Sequence, residues 1–393
     1  VTARIAHRAA AFEWEQARRT AYHAVRALGL ETVGLAAATG RVTAESIIAG
    51  HDIPHYASSA MDGWVVSGEP PWELDAETGA LPSRGARPVV TGGLIPERAE
   101  AVLRSEHGRV LAGLLQLEPG RHAPRPGADI RAAGQEAVAG EVLIEEGTLL
   151  NPGHIAVAAA CARDTVLVRA RPRAELLLTG DEVDAFGVPG PGRVRDSFGP
   201  TLPTLVSQLG GIVVASTRVP DRRDATLAAL RSRPDGELVI TTGGTGSSSS
   251  DHLRAALVGL GAQIIVPGIA SRPGGPSLLA RLPDGRLLVG LPGNPLAAVV
   301  GLLVLAAPAL AGWGGRSLAE LTRVVAARDI AGHPHRTMLV PYLAVDGGVV
   351  PSRWIGSSMM RGLADSAGIV AIPPRGLEAG QQGVALPLPW PRG

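Results

Sequence analysis

Glu237-Leu238-Val239-Ile240-Thr241-Thr242-Gly243-Gly244-Thr245-Gly246-Ser247-Ser248-Ser249-Ser250-Asp251 is the stretch whose reading decides the fold. Leu238, Val239 and Ile240 form a short apolar run, as expected of a strand buried in a parallel sheet. Gly243, Gly244 and Gly246 let the backbone turn sharply and approach a ligand closely. Beyond Asp251 the spacing of Leu253, Ala256, Leu257 and Leu260 predicts a helix. A glycine turn feeding a helix N-terminus offers free N–H groups and a positive dipole end, which suits an anion. The serine hydroxyls add donors, and Asp251 could hold a metal ion or cap the helix. An ordinary strand-to-helix loop with a serine tract accounts for the same residues equally well.

The flanking segments repeat the pattern. Strands are predicted at Ala174–Leu178, Ile212–Ala215, Leu238–Thr241 and Leu287–Val289, with helices at about Pro200–Leu209 and Ala225–Arg231. This alternation predicts a mostly parallel, doubly wound sheet, in which ligands sit beyond the carboxyl ends of the strands. The turn Thr179-Gly180-Asp181-Glu182, the pair Asp196-Ser197, the glycine-serine loop and Pro292-Gly293-Asn294-Pro295 all fall at that edge. Their oxygen ligands suit Mg²⁺ bridging to a phosphate rather than a thiolate-bound metal. Taken singly, each carboxylate has a plainer role: Asp181-Glu182 as a solvated turn, Asp196 or Asp251 as a helix cap. As a cluster on one sheet edge they make a site.

Composition narrows the class. At 393 residues the chain exceeds one ordinary core. A net charge of +1 gives no electrostatic case for nucleic acid or an acidic membrane surface. All 37 basic residues are arginine, which excludes a Schiff-base lysine and a standard P-loop. Aromatic residues, at 3%, leave little to stack on sugars, which argues against a glycosidase reading of the paired carboxylates. The single Cys161 lies in an alanine run and is expected to be a buried, inert thiol. No cationic, apolar leader opens the sequence, and the longest apolar run, Leu296–Leu310, falls short of the about 18–20 residues that span a bilayer. A soluble cytoplasmic protein is therefore expected.

From the start of the chain, helical spacing is read over Phe12–Leu28 and again over Leu35–Ile48, with a break at Gly40. Short strands and turns fill Val65–Pro124, and Arg121–Pro126 returns the chain to the first domain. The segment after Leu296 reads as a core helix ending at Pro308. Arg336–Leu388 reads as strands with one helical piece near Met359–Ala364.

Several motifs carry a resemblance. Ser59-Ala60-Met61-Asp62-Gly63-Trp64 resembles the Ser-Ala-Met-Asp-Gly-Tyr signature of the MoeA family, the molybdopterin molybdenumtransferases that include the gephyrin E domain. Arg41-Val42-Thr43-Ala44-Glu45, Val90–Pro96 and Asp129–Glu136 resemble further family segments in the family's order. Trp354–Asp365 resembles its last motif loosely, and Glu73–Pro88 looks shortened. The resemblance implies an α/β multidomain chain whose central, mostly parallel sheet domain (171–313) is of the molybdopterin-binding type. An elongated lead-in and dimerisation domain (1–50 and 125–170) and two small β-rich domains (51–124 and 314–393) would surround it.

The implied reaction is Mg²⁺-dependent: adenylylated molybdopterin loses AMP and molybdate enters the dithiolene. Carried over by position, Asp62, Asp181, Glu182, Asp196 and Asp251 become catalytic, and Glu182, Asp196 and Asp251 metal-binding. Thr179, Gly180, Ser197, Thr242, Gly243, Gly244, Ser247, Ser248, Arg272, Pro292, Gly293, Asn294 and Pro295 become substrate-binding. The implied partners are a second copy of the chain, with Asp62 acting across the dimer interface, and the molybdopterin adenylyltransferase.

The sequence departs from the family at three places. Asp196-Ser197-Phe198 stands for Asp-Ser-Asn, and Gly243–Ser248 stands for Gly-Gly-Val-Ser-Val-Gly. Arg272-Pro273-Gly274-Gly275-Pro276 stands for Lys-Pro-Gly-Lys-Pro, whose lysines lie near molybdate. Arginine and lysine are not equivalent at an oxyanion, and Gly275 supplies no cation. A divergent paralogue that binds molybdopterin without inserting metal, or a scaffold, is the alternative.

Overall fold

The structure, a computed structural model, describes residues 11–232, 235–246 and 252–390. The chain forms two compact units. One comprises the segment ending at Glu31, Gly40–Val42 and everything from Arg169 on; the other comprises Thr32–Thr39 and Thr43–Val168.

In the first unit, α1 (Trp14–His23) precedes β1 (Arg173–Thr179), α2 (Phe198–Gln208), β2 (Ile212–Val219), α3 (Arg223–Arg231), β3 (Leu238–Thr242) and α4 (His252–Leu260). Then come β4 (Gln263–Val266), β5 (Leu278–Arg281) and β6 (Leu287–Leu291). The sheet order is β2-β1-β3-β6-β5-β4. The first four strands are parallel, while β4 and β5 run antiparallel at one edge. Those two strands escape the sequence pattern because they form a hairpin-like pair with no intervening helix to mark them.

Side chains alternate between two apolar layers, as a sheet covered on both faces requires. Leu176, Leu178, Leu238, Ile240, Leu287 and Val289 face one core with α1, α2 and the long helix Pro295–Trp313. Leu177, Val239 and Leu288 face the other, with α3 and α4. Because α2 leaves β1 on one face and α4 leaves β3 on the other, the strand order reverses between β1 and β3. A crevice therefore opens at the carboxyl ends of those two strands.

Helix Pro295–Trp313 does not end at Pro308. It runs on to Trp313, because a π-helical turn at Leu302–Ala306 widens the hydrogen-bond spacing just before the proline. At 19 residues, with an 18-residue stretch of mean hydropathy 2.2, it is long and apolar enough to cross a membrane, but 89% of that stretch is buried. Beyond it, strands Thr322–Val325, Thr337–Val345, Gly348–Pro351, Gly368–Ile372 and Gln382–Leu386, with Ser271–Arg272 on one edge, form a second sheet.

The lead-in helix is shorter than its spacing suggests. Phe12 instead donates its N–H to the carbonyl of Gly268 at 2.9 Å. The helix predicted over Leu35–Ile48 is absent: one 3₁₀ turn, Leu35–Ala37, is followed by irregular chain and a short strand, Ile47–Ile48. Gly40 sits at φ +77°, and the N–H groups of Thr43 and Ala44 bond the carbonyls of Thr148 and Leu167 at 3.0 and 2.9 Å. Tertiary backbone partners override the local periodicity there.

The second unit holds a six-stranded sheet, ordered Ala101–Arg104, Gly63–Val66, Gly85–Val89, Trp72–Leu74, Leu114–Leu117, Gly108–Leu111, around the fully buried Trp72. A separate core gathers Ile47, Ile53, Ile144, Leu150, Val166 and Cys161. Burial pushes the Cys161 thiol pKa up, as suits an inert side chain.

Candidate functional site

The crevice between β1 and β3 is lined by backbone that only glycine can supply. Thr179, the last residue of β1, donates its hydroxyl to the Thr242 carbonyl, and its N–H reaches Thr242 Oγ1 at 3.3 Å. Gly243 follows at φ +79°, where a Cβ would lie 2.5 Å from Thr179 Oγ1. Gly244 continues the left-handed turn at φ +62°. Gly293 packs so closely that its Cβ position is 3.8 Å from the Gly243 Cα. Three of the predicted segments, Thr179-Gly180, Thr242-Gly243-Gly244 and Pro292–Pro295, are thus brought together. Ser247, Ser248 and Asp251 lie outside the described residues.

The acidic residues take different roles. Asp181 and Glu182 are exposed at the end of β1. Asp181 Oδ1 accepts the N–H of Asp221 at 3.3 Å, and Asp221 Oδ2 accepts the N–H of Asp181 at the same distance. Asp221 is a site-edge carboxylate that motif reading passes over. Its signal was present, since Val219-Pro220-Asp221 closes β2 at the same sheet edge. A small recess of about 20 Å³ lies among Thr179, Asp221, Thr241, Gly243 and His252. The buried hydroxyl of Thr241 finds no hydrogen-bond partner among the described residues.

Asp196 turns inward. Its Oδ1 accepts the N–H groups of Phe198 and Gly199 at 2.9 and 3.0 Å, and its Oδ2 pairs with Arg218. Gly199 is required here, because a Cβ would sit 2.3 Å from Asp196 Oδ2. Asp196 therefore caps α2, the alternative left open by the sequence, and Phe198 contributes through its N–H. Ser197 accepts the Thr201 hydroxyl on its carbonyl at 2.6 Å. Among the described residues no group of three His, Cys, Asp or Glu side chains is placed to hold a metal ion.

In the second unit, Asp62 is exposed, and its Oδ1 accepts both the N–H (2.6 Å) and the hydroxyl (2.9 Å) of Thr91. The Thr91 N–H, then its hydroxyl, holds the Asp62 carboxyl pKa below the ordinary range. Ser59 exchanges backbone bonds with Gly92 and Gly93, and strand Ile130–Arg131 pairs with Ser58–Ser59. Three separate sequence motifs thus meet around Asp62. Thr91→Val keeps the N–H and loses the hydroxyl, so the Asp62 pKa is expected to rise while staying below an exposed aspartate. Carboxyl-carbon NMR titration reads this directly, and an unchanged Asp62 curve would refute the hydroxyl's part.

Residues 12–162 match the MoeA N-terminal region (domains I and II), and residues 175–312 match a probable molybdopterin binding domain. The molybdopterin molybdenumtransferase of Nostoc sp. is 31% identical over 307 residues, 72% of this chain and 70% of that protein. The chain belongs to the MoeA family. The enzyme of the same name from Staphylococcus aureus is 29% identical over 301 residues, 71% of this chain and 70% of its own length. A solved molybdopterin biosynthesis MoeA protein from Pyrococcus horikoshii shares the fold, with a TM-score of 0.69 at 21% identity, covering 96% of this chain and 100% of that one.

Within this MoeA-family chain the Pro292–Pro295 turn borders a second space. Pro292 and Asn294 line a cleft of about 500 Å³ together with Arg272, Gly275, His333 and Arg336. Asn294 Oδ1 accepts the Ser358 hydroxyl at 2.8 Å, and the Ala297 N–H bonds the Ser357 carbonyl at 3.1 Å. The same turn therefore touches Gly243 on one side and lines this cleft on the other. No carboxylate lines the cleft among the described residues.

Proposed function

We propose that this MoeA-family chain inserts molybdate into adenylylated molybdopterin and releases AMP, in a Mg²⁺-dependent reaction of molybdenum cofactor biosynthesis. The observation that carries the reading is the shared Pro292–Pro295 turn. It joins a glycine-lined crevice suited to phosphate to a cleft of arginine and histidine suited to an oxyanion.

In this reading Thr179, Gly180, Thr242, Gly243 and Gly244 seat the phosphate end of the substrate. Asn294, oriented by Ser358, holds its position between the two spaces. Arg272 faces the oxyanion. Mg²⁺ fits a site that presents hard oxygen donors without a closed three-ligand set, because it keeps water and phosphate oxygens in its shell. Asp181 and Glu182 would hold it, with Asp251 beside the same loop in sequence. When bound, the ion offsets phosphate charge and polarises the scissile phosphoryl bond. Asp196 serves by fixing the start of α2 rather than by binding the ion. The reading also includes a cytoplasmic homodimer in which Asp62 serves the partner chain's site, and delivery of substrate by the molybdopterin adenylyltransferase.

Purified protein incubated with adenylylated molybdopterin, Mg²⁺ and molybdate is expected to release AMP and leave molybdenum on the dithiolene. Glu182→Ala is expected to slow AMP release by about a hundredfold or more, as loss of one charge-stabilising group does. Tight substrate binding without AMP release from the unaltered chain would assign it instead to a non-catalytic paralogue. No binding would leave the scaffold.

A further inference from the structure

Arg254, in the first turn of α4, reaches back to the glycine turn and ties it to another part of the chain. Its Nε donates to the Thr245 carbonyl at 3.1 Å and its Nη2 to the Pro267 carbonyl at 2.6 Å. Neither motif nor helical spacing singled this residue out.

The two carbonyls are held differently. Pro267 directly follows β4, and the next carbonyl, of Gly268, accepts the Phe12 N–H at 2.9 Å. The Ile269 N–H then bonds the Gly275 carbonyl at 2.9 Å, so this stretch is a fixed anchor. Thr245 belongs to the turn itself. It is 3% exposed, and a Cβ on Gly290 of β6 would meet its Cγ2 at 3.1 Å. Packing therefore holds the Thr245 side chain, but not the peptide plane that follows it. That plane leads into Gly246, and glycine accepts either orientation of a preceding peptide because it adopts negative and positive φ alike. Serine stands at this place in the family segment and would favour one orientation. The Thr245–Gly246 peptide is trans, so its N–H points opposite to its C=O. Fixing the Thr245 carbonyl on Arg254 thus fixes the direction of the Gly246 N–H. That N–H belongs to a strand–glycine–helix turn, the element that offers backbone donors to a phosphate.

We propose that Arg254 is a positioning residue for AMP release, pinning the Thr245–Gly246 peptide so that the Gly246 N–H serves the charge developing on the leaving phosphate. This rests on the insertase reading of the crevice. A guanidinium suits the task because its planar fork donates to two carbonyls in a fixed geometry. An ammonium is a point charge on a flexible stem and holds the plane less firmly.

AMP release is measured on the full chain with adenylylated molybdopterin, Mg²⁺ and molybdate, per folded molecule as read from urea unfolding. Arg254→Met is expected to lower kcat about a hundredfold, the cost of misdirecting one charge-stabilising donor. KM should change by less than about threefold, because the remaining contacts hold the ground state. Arg254→Lys should fall between Arg254→Met and the unaltered chain. A purely structural role would lower the folded fraction and leave kcat per folded molecule intact. AMP carries the extra charge of the leaving phosphate, so its calorimetric affinity with Mg²⁺ should fall about tenfold in Arg254→Met. An unchanged kcat, an unchanged AMP affinity, or Arg254→Lys no better than Arg254→Met would overturn the proposal. An unaltered chain that releases no AMP from the substrate, with AMP binding still weakened by Arg254→Met, keeps this inference and sinks the insertase. Undiminished AMP release from Arg254→Met does the reverse.

Discussion

Gly243→Ala is expected to remove activity almost completely and to lower stability by about 2–4 kcal/mol. Two effects add. A non-glycine residue at φ +79° costs about 1–2 kcal/mol. The new Cβ would also lie 2.5 Å from Thr179 Oγ1, whose hydroxyl ties β1 to β3. Relieving that overlap means breaking the Thr179–Thr242 bond, a further loss of about 1 kcal/mol, or moving the loop. Either displaces the crevice wall by a large part of an ångström, and misplacement on that scale costs about a hundredfold in rate. Gly244→Ala is the comparison. Its backbone conformation is equally unfavourable at φ +62°, but its nearest neighbours, in Leu253, are 3.5 Å away. It should lose about 1–2 kcal/mol and retain measurable AMP release. Urea unfolding and the AMP assay on both variants separate overlap from backbone preference. Equal activities would refute the steric account.

Arg286→Met is expected to cost about 3–5 kcal/mol of stability, because it strands a buried carboxylate. Glu175 is 5% exposed and Arg286 9%. Arg286 Nη1 stands 3.5 Å from Glu175 Oε2, its Nε bonds Asp284 at 3.0 Å and its Nη2 bonds the Leu230 carbonyl at 2.7 Å. Desolvation raises the Glu175 pKa, and Arg286 opposes that rise. A carboxyl whose folded pKa is raised binds its proton more tightly in the native state. Its contribution to stability is therefore fully present below the unfolded carboxylate pKa and is lost as pH rises through the folded one. Without Arg286 the folded pKa rises further, so the variant should lose more stability at pH 8 than at pH 5. Glu175→Leu combined with Arg286→Met should recover more than half of the loss, since an apolar pair replaces a buried ionic one at little cost. Chemical denaturation at the two pH values checks both. A single variant as stable as the double would show that Glu175 is not left uncompensated.

Much of the α/β unit is legible in the sequence because its signals are local. Strand, glycine turn and helix around Gly243 lie within 25 residues; the continuous apolar run Leu238–Ile240 suits a strand covered on both faces, and the helical spacing of Leu253–Leu257 matches the layer it joins. Where local spacing met a tertiary partner it failed. Leu35–Ile48 has helical periodicity, yet its backbone bonds go to Thr148 and Leu167. Pro308 has a helix-ending sequence, yet the π turn before it carries the helix on.

The chain by itself determined which residue types stand at the carboxyl edge of the sheet, because strand ends and glycine turns are written in consecutive residues. It determined the family for the same reason, through short motifs in a fixed order. Which side chains meet was decided only by the tertiary structure. Asp62 with Thr91, Asp181 with Asp221, Asp196 with Arg218 and Arg272 with His333 are separated by 29, 40, 22 and 61 positions. No periodicity spans such distances. A hydrogen bond between loops depends on the register of the strands that carry them, and that register is fixed by packing of the whole sheet.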